Sequence, residues 1–268
     1  MTSDQEPVEQ ITGTVIARQT VLPGGDISGA SLATLADGRK VVIKRGPLVE
    51  AEGRMLRAMA ETGAPVPAVY GWQSDCLVMD YVESGAFETR DRWHALAETL
   101  LCLTDPKNSA FGWDEDYSLK YVEVPNSRSG NWAHFWRDNR LLCHLPHLDP
   151  DLAERVETLA EHMEDLLPST PDPAFVHGDL WGGNIVQAND GRAVLIDPCA
   201  YVGHREVDAA SLTVFDNPPP SFFDALQLED SWQKRQPIYR LWMWLVHVRL
   251  FGASYRSAVT RELDLLGF

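Results

Sequence analysis

HGDLWGGN (177–184), set within FVHGDLWGGNIV (175–186) and followed by VLID at 194–197, is the stretch that decides the fold. Strand-like runs at 174–177, 185–187 and 193–197 surround it, with Asn189-Asp190-Gly191 as the turn between the last two. His177, Asp179, Asn184 and Asp197 therefore fall within one short β island. Phosphoryl transfer from ATP needs a carboxylate that orients the attacking hydroxyl and takes its proton. It also needs a carboxylate and an amide that hold Mg2+ against the phosphates. The order H-x-D-x-x-x-x-N, hairpin, Asp supplies these groups, with Asp179 as the base and Asn184 and Asp197 as metal ligands. One Asn and one Asp suffice, because Mg2+ keeps several waters. Each residue alone reads as a turn former; the joint spacing points to the chemistry. His177 is expected to brace the loop without moving protons.

Upstream, residues 11–19 and 30–35 read as strands around a turn at Pro23-Gly24-Gly25. Asp37-Gly38 makes a tight hairpin into KVVIK (40–44). A helical pattern covers 48–62 and ends at Gly63 and Pro65; strand-like runs follow at 68–72 and 76–81. Strands, one helix and more strands make a small antiparallel α+β lobe ending near Val82. Lys44 at the end of a β-branched strand and Glu52 on the next helix can pair, which is how a kinase sets a lysine on the nucleotide phosphates. The loop 23–30 can cover those phosphates through Gly24, Gly25 and Ser28. Met79-Asp80-Tyr81-Val82 reads as a hinge whose backbone at Asp80 and Val82 meets the adenine. No GxxxxGK[ST] is present, which excludes a P-loop NTPase.

Downstream the pattern becomes mostly helical, at 91–101, 132–140, 152–167 and 237–266, with a break near Gly252. The expected fold is α+β and bilobal: residues 1–82 as an ATP-binding lobe of antiparallel sheet with one helix, and 83–268 as a larger, mostly helical catalytic and substrate-binding lobe. A net charge of −16 over 268 residues disfavours nucleic acid and anionic membrane as partners. The acidic, polar N-terminus and four scattered cysteines read as a cytoplasmic protein, monomeric or weakly dimeric.

Together these segments resemble the fructosamine kinase family, within the aminoglycoside phosphotransferase-like kinases. The resemblance rests on FVHGDLWGGNIV (175–186), VLIDPCAYVGHREVD (194–208), VHVRLFGASYR (246–256), NWAHFWRDNRLL (131–142) and VEAEGRMLRAM (49–59). It implies a protein-kinase-like fold and MgATP-dependent phosphorylation of a sugar hydroxyl on a fructosamine or ketosamine, with ATP and Mg2+ as cofactors and a small sugar-amine as substrate. Trp181 would line the substrate, where an indole face suits a sugar or an amine cation, and His247 would approach the same pocket. The Gly203–Glu206 segment and Asp208 would be scaffolding for the catalytic loop. The connector 113–129, only loosely similar to the family, is expected to border the substrate cleft. Two other readings stay open: an aminoglycoside, choline or amino-alcohol kinase, and an inactive kinase-like binding module.

Overall fold

KVVIK alternates along its strand, and the two faces it creates organise the first lobe. The computed structural model describes residues 4–22, 29–85, 89–104 and 110–268. Its first elements are α1 (Gln5–Thr12), β1 (Ile16–Val21), β2 (Ala30–Leu35), β3 (Lys40–Arg45), α2 (Val49–Glu61), β4 (Val69–Gln73) and β5 (Cys76–Asp80). The strands form a five-stranded antiparallel sheet in the order β1-β2-β3-β5-β4. The β2–β3 turn closes as Asp37-Gly38 demands: Gly38 is left-handed at φ +91°, and the Asp37 carboxylate accepts from the Arg39 N–H at 3.0 Å. Val41 and Ile43 point to one face with Leu35, Cys76 and Val78, and Val8 of α1 packs over them. Val42, Leu77 and Met79 point to the other face, where Val49 and Leu56 of α2 cover them. The period of two thus puts a helix on each side of the sheet.

The small lobe therefore holds a second helix, and the expected strand over 11–19 is corrected. Residues 5–12 are helical, and β1 begins at Ile16. The physical reason is that a single strand would leave the Val41/Ile43 face open to water. Two helical turns presenting Val8 and Ile11 close it, ended by left-handed Gly13 at φ +76°.

The second lobe comprises α3 (Thr89–Cys102), β6 (Tyr117–Leu119), β7 (Val122–Val124), α4 (Trp132–Trp136), α5 (Pro150–Glu161), α6 (Met163–Leu166), β8 (Pro173–Val176), β9 (Ile185–Gln187), β10 (Ala193–Leu195), β11 (Tyr201–His204), α7 (Glu206–Phe215), α8 (Pro220–Leu226), α9 (Trp232–Phe251) and α10 (Arg256–Leu266). Its core is aromatic, with Trp132, Trp136, Tyr239 and Trp242 fully buried. Arg140 lies buried among them, 4.2 Å from the Tyr201 ring and 4.8 Å from that of Phe135. Its guanidinium donates to Pro125 O and Asn126 Oδ1.

The β island is two ladders, not one. β9 pairs with β10, while β8 pairs with β11, a strand that the sequence reading left unassigned. The lobes join where Gly85 N–H donates to Gln187 O and Asn189 N–H to Glu83 O, so the connecting segment runs along the β9–β10 hairpin. Among the described residues, no helix is long and apolar enough to cross a membrane.

Candidate active site

The alternation that buries Val42 against α2 also turns Lys44 toward that helix. Lys44 is 3% exposed, and its ammonium lies 2.5 Å from Glu52 Oε1 and 2.6 Å from Asp197 Oδ1. Burial disfavours the lysine charge, but the two carboxylates outweigh it and hold Lys44 above its ordinary pKa. Burial likewise pushes Glu52 up, against the pull of Lys44. The buried lysine is thus held charged at the junction of the two lobes, with Glu52 from one and Asp197 from the other.

Asp197 leaves β10 in a left-handed conformation, φ +56°, which costs a non-glycine residue about 1 kcal/mol. Such a bend persists because it aims the carboxylate across at Lys44. Asp179 and Asn184 bracket the loop between β8 and β9. Asn184 Nδ2 donates to Asp179 O at 2.7 Å and lies 3.4 Å from Asp179 Oδ2. With its amide nitrogen committed there, Asn184 keeps Oδ1 for another partner. Burial, and then the nearby Asp197 charge, push Asp179 up to about 6, while the Asn184 hydrogen bond works the other way.

Beneath these groups the loop is held by backbone contacts. The buried Asp208 carboxylate, on α7, accepts from the N–H groups of His177 (2.7 Å) and Gly178 (3.0 Å). Burial nevertheless lifts Asp208 to about 7, against those two donors. His177 accepts at Nδ1 from the Asp179 N–H, which leaves its proton on Nε2, 2.8 Å from Ile196 O. Burial lowers its pKa to about 4, so it stays neutral and ties the 177–184 loop to the segment that carries Asp197. Gly178 is left-handed at φ +79°, and a Cβ there would stand 2.1 Å from Cys199 O.

Trp181, 42% exposed, folds its indole over Gly183, where a Cβ would meet the ring at 2.3 Å. Its ring and that of His247 both contact Phe215, at 6.3 Å and 4.9 Å. The structure therefore brings Trp181 and His247 to the same phenyl ring. His247 donates from Nδ1 to Met243 O, and burial lowers its pKa. At the expected hinge, Asp80 donates its N–H to Ala68 O, so that N–H is not available to a base. Val82 is half-buried, with no backbone hydrogen bond among the described residues. Gly24, Gly25 and Ser28 lie outside the described residues, but Leu22 N–H donates to Ala30 O, and Ala30 pairs in register with Lys44. The root of that loop is therefore beside the lysine.

Three contributors were not anticipated. Tyr117 of β6 has its hydroxyl pushed well up by burial, and the charges of Glu52, Cys199, Asp197 and Asp179 act in the same direction. Asp216 accepts from the Gly182 N–H at 2.7 Å and pins the loop from the end of α7. Arg54, two residues past Glu52, meets Glu115 bidentately, at 2.6 Å for the closer oxygen. Only the position of 113–129 near the cleft signalled any of these.

The fructosamine kinase family profile matches residues 2–266. A protein assigned as a ketoamine kinase in Thermus thermophilus is 33% identical over 255 residues, covering 91% of this chain and 92% of that one. A crystal structure of a protein assigned as a fructosamine-3-kinase from Thermobifida fusca superposes with a TM-score of 0.86 at 28% identity, covering 99% of both chains. The streptomycin–ATP complex of an aminoglycoside phosphotransferase superposes with a TM-score of 0.65 over 97% of this chain and 96% of the other, at 14% identity, a likeness of fold.

Proposed function

The chain belongs to the fructosamine kinase family and is a phosphotransferase acting on a sugar hydroxyl of ketosamine-type acceptors, and we propose that Asp179 is the carboxylate that receives the hydroxyl proton. What carries this reading is the arrangement of Lys44 between Glu52 and Asp197, with Asn184 fixing Asp179 alongside. An acceptor hydroxyl within hydrogen-bond reach of Asp179 gives up its proton there as its oxygen attacks. Asp179, raised to about 6, is ionised at neutral pH and still basic enough to serve. Lys44, kept charged by its two acids, sits where it can neutralise phosphate oxygens, and Trp181 and His247 line the acceptor side.

Asn184 Oδ1 and the free oxygen of Asp197 are hard, neighbouring donors of the kind Mg2+ takes, and they fit the ion. When bound, MgATP supplies the phosphoryl group and the charge neutralisation. In the same reading, residues 1–82 form the nucleotide lobe, Val82 N–H and Asp80 C=O face the adenine, and Gly24, Gly25 and Ser28 close over the phosphates. The competing aminoglycoside reading shares the fold alone, at 14% identity.

The test is phosphate transfer from MgATP to a panel of fructosyl-amines, ribulosyl-amines and aminoglycosides. Turnover is expected on ketosamines, and none on any of them would reject the assignment. Asp179→Asn should lose at least about 10²-fold in kcat. It should keep the thermal stabilisation by MgATP, about 2.7 kcal/mol at a hundred times Kd.

A further inference from the structure

The aromatic surface beside the catalytic loop extends past Trp181 and His247. Phe215, the last residue of α7, and Phe251, the last of α9, are each 46% exposed. The Phe251 ring lies 5.4 Å from His247. Gly252, at φ +85°, turns the chain so that Tyr255 comes 5.2 Å from His247 and stacks on Trp244. Isolated surface rings are ordinary, but a contiguous exposed row marks a binding surface.

The row begins two residues from Asp179 and ends at the β6–β7 hairpin. There the Tyr121 hydroxyl shares a hydrogen bond with the carbonyls of Arg249 and Leu250, 2.9 Å from each, which fixes the hairpin on the end of α9. Lys120, left-handed at φ +55°, sets its ammonium 5.6 Å from the Phe251 ring. Among the described residues no carboxylate pairs with it. An apolar track therefore leads from the reacting centre to an unpaired positive charge.

We propose that this row is the subsite for the amine-borne part of the acceptor, and that it takes a ketosamine built on an amino acid whose carboxylate is free. The inference rests on the ketosamine reading above and narrows it. With the sugar at Asp179, the secondary ammonium lies over the Trp181 indole. The stem then follows Phe215 and Phe251, and the carboxylate meets Lys120. A glycated residue within a polypeptide carries an amide in place of that carboxylate and has no charge to offer Lys120.

Steady-state kinetics on three acceptors sharing one sugar test it: a fructosyl amino acid, its methyl ester, and a fructosyl alkylamine. The parent should favour the acid over the ester by about fivefold in kcat/KM, through KM, as one exposed charge pair allows. Lys120→Glu should abolish or invert that preference and Lys120→Arg should keep it. Phe251→Ala should raise KM for all three acceptors. Equal use of acid and ester by a parent that does phosphorylate ketosamines overturns the inference alone. So does a preference that survives Lys120→Glu, or a Phe251→Ala variant with unchanged KM throughout. A parent that phosphorylates no ketosamine rejects the broader reading as well.

Discussion

Asp179 is held at about 6 by burial and the Asp197 charge, countered by the Asn184 amide. In its proposed role as proton acceptor it must be ionised, so kcat should rise with pH through about 6 and level off above it. A pH–rate profile measured with saturating MgATP checks this; a limb at the ordinary carboxylate position near 4 would show that another group limits the rate. At this scale the convergence of the candidate site was largely legible. Asp179, Asn184, Asp197, Lys44 and Glu52 stand at spacings that phosphoryl transfer itself dictates, and the structure brings them together. Tyr117 and Asp216 were not legible. Tyr117 stands in a three-residue strand and Asp216 just past the end of α7, where so few residues carry no readable pattern.

Among elements, the contact that matters most joins α7 to the end of β8, through the Asp208 carboxylate on two backbone donors. Asp208→Asn retains one acceptor oxygen but sets an NH2 against an N–H, an unmade buried bond costing about 1–3 kcal/mol. The pH sign follows from the raised pKa of about 7. Between about pH 4 and 7 the folded protein keeps a proton that the unfolded chain has lost, so this group's stabilisation is full at the acid end and lost as pH rises. The variant should therefore melt lower than the parent, and its Tm should climb more steeply with pH across that window. Calorimetry at pH 4.5, 5.5 and 6.5 decides it, and parallel Tm curves would refute the assignment. The long periodic elements α2, α3 and α9 were readable from their apolar spacing. The three-residue strands β6 and β7, the strand β11 and the short helix α1 were not, because so few residues carry no period.

For the whole molecule, net charge and site charge pull in opposite directions. A chain of −16 repels a nucleotide on its approach to the proposed site at Lys44. Raising ionic strength from about 0.01 to 0.15 M shortens the screening length from about 30 to 8 Å, which hides the distant surface while leaving the buried contacts intact. kcat/KM for ATP should consequently rise by about twofold or more over that range. A fall would mean that a local positive field, not the overall charge, governs approach. The kinase-like α+β architecture was readable at this scale from the switch between strand and helix patterns along the chain. The helix on the outer face of the sheet was not, since its need arises only once the sheet exists.

Gly178 has one more consequence, for the ancestry of such a chain. Its left-handed backbone and the carbonyl of Cys199, 2.1 Å from where any β-carbon would stand, close the position to every other amino acid. A saturation library selected for turnover should return glycine alone at 178, yet tolerate many residues at solvent-facing Gly130, where nothing lies within 4 Å. The loop is thus an island in sequence space: lineages can drift around it, but none can cross position 178 by single steps and stay active.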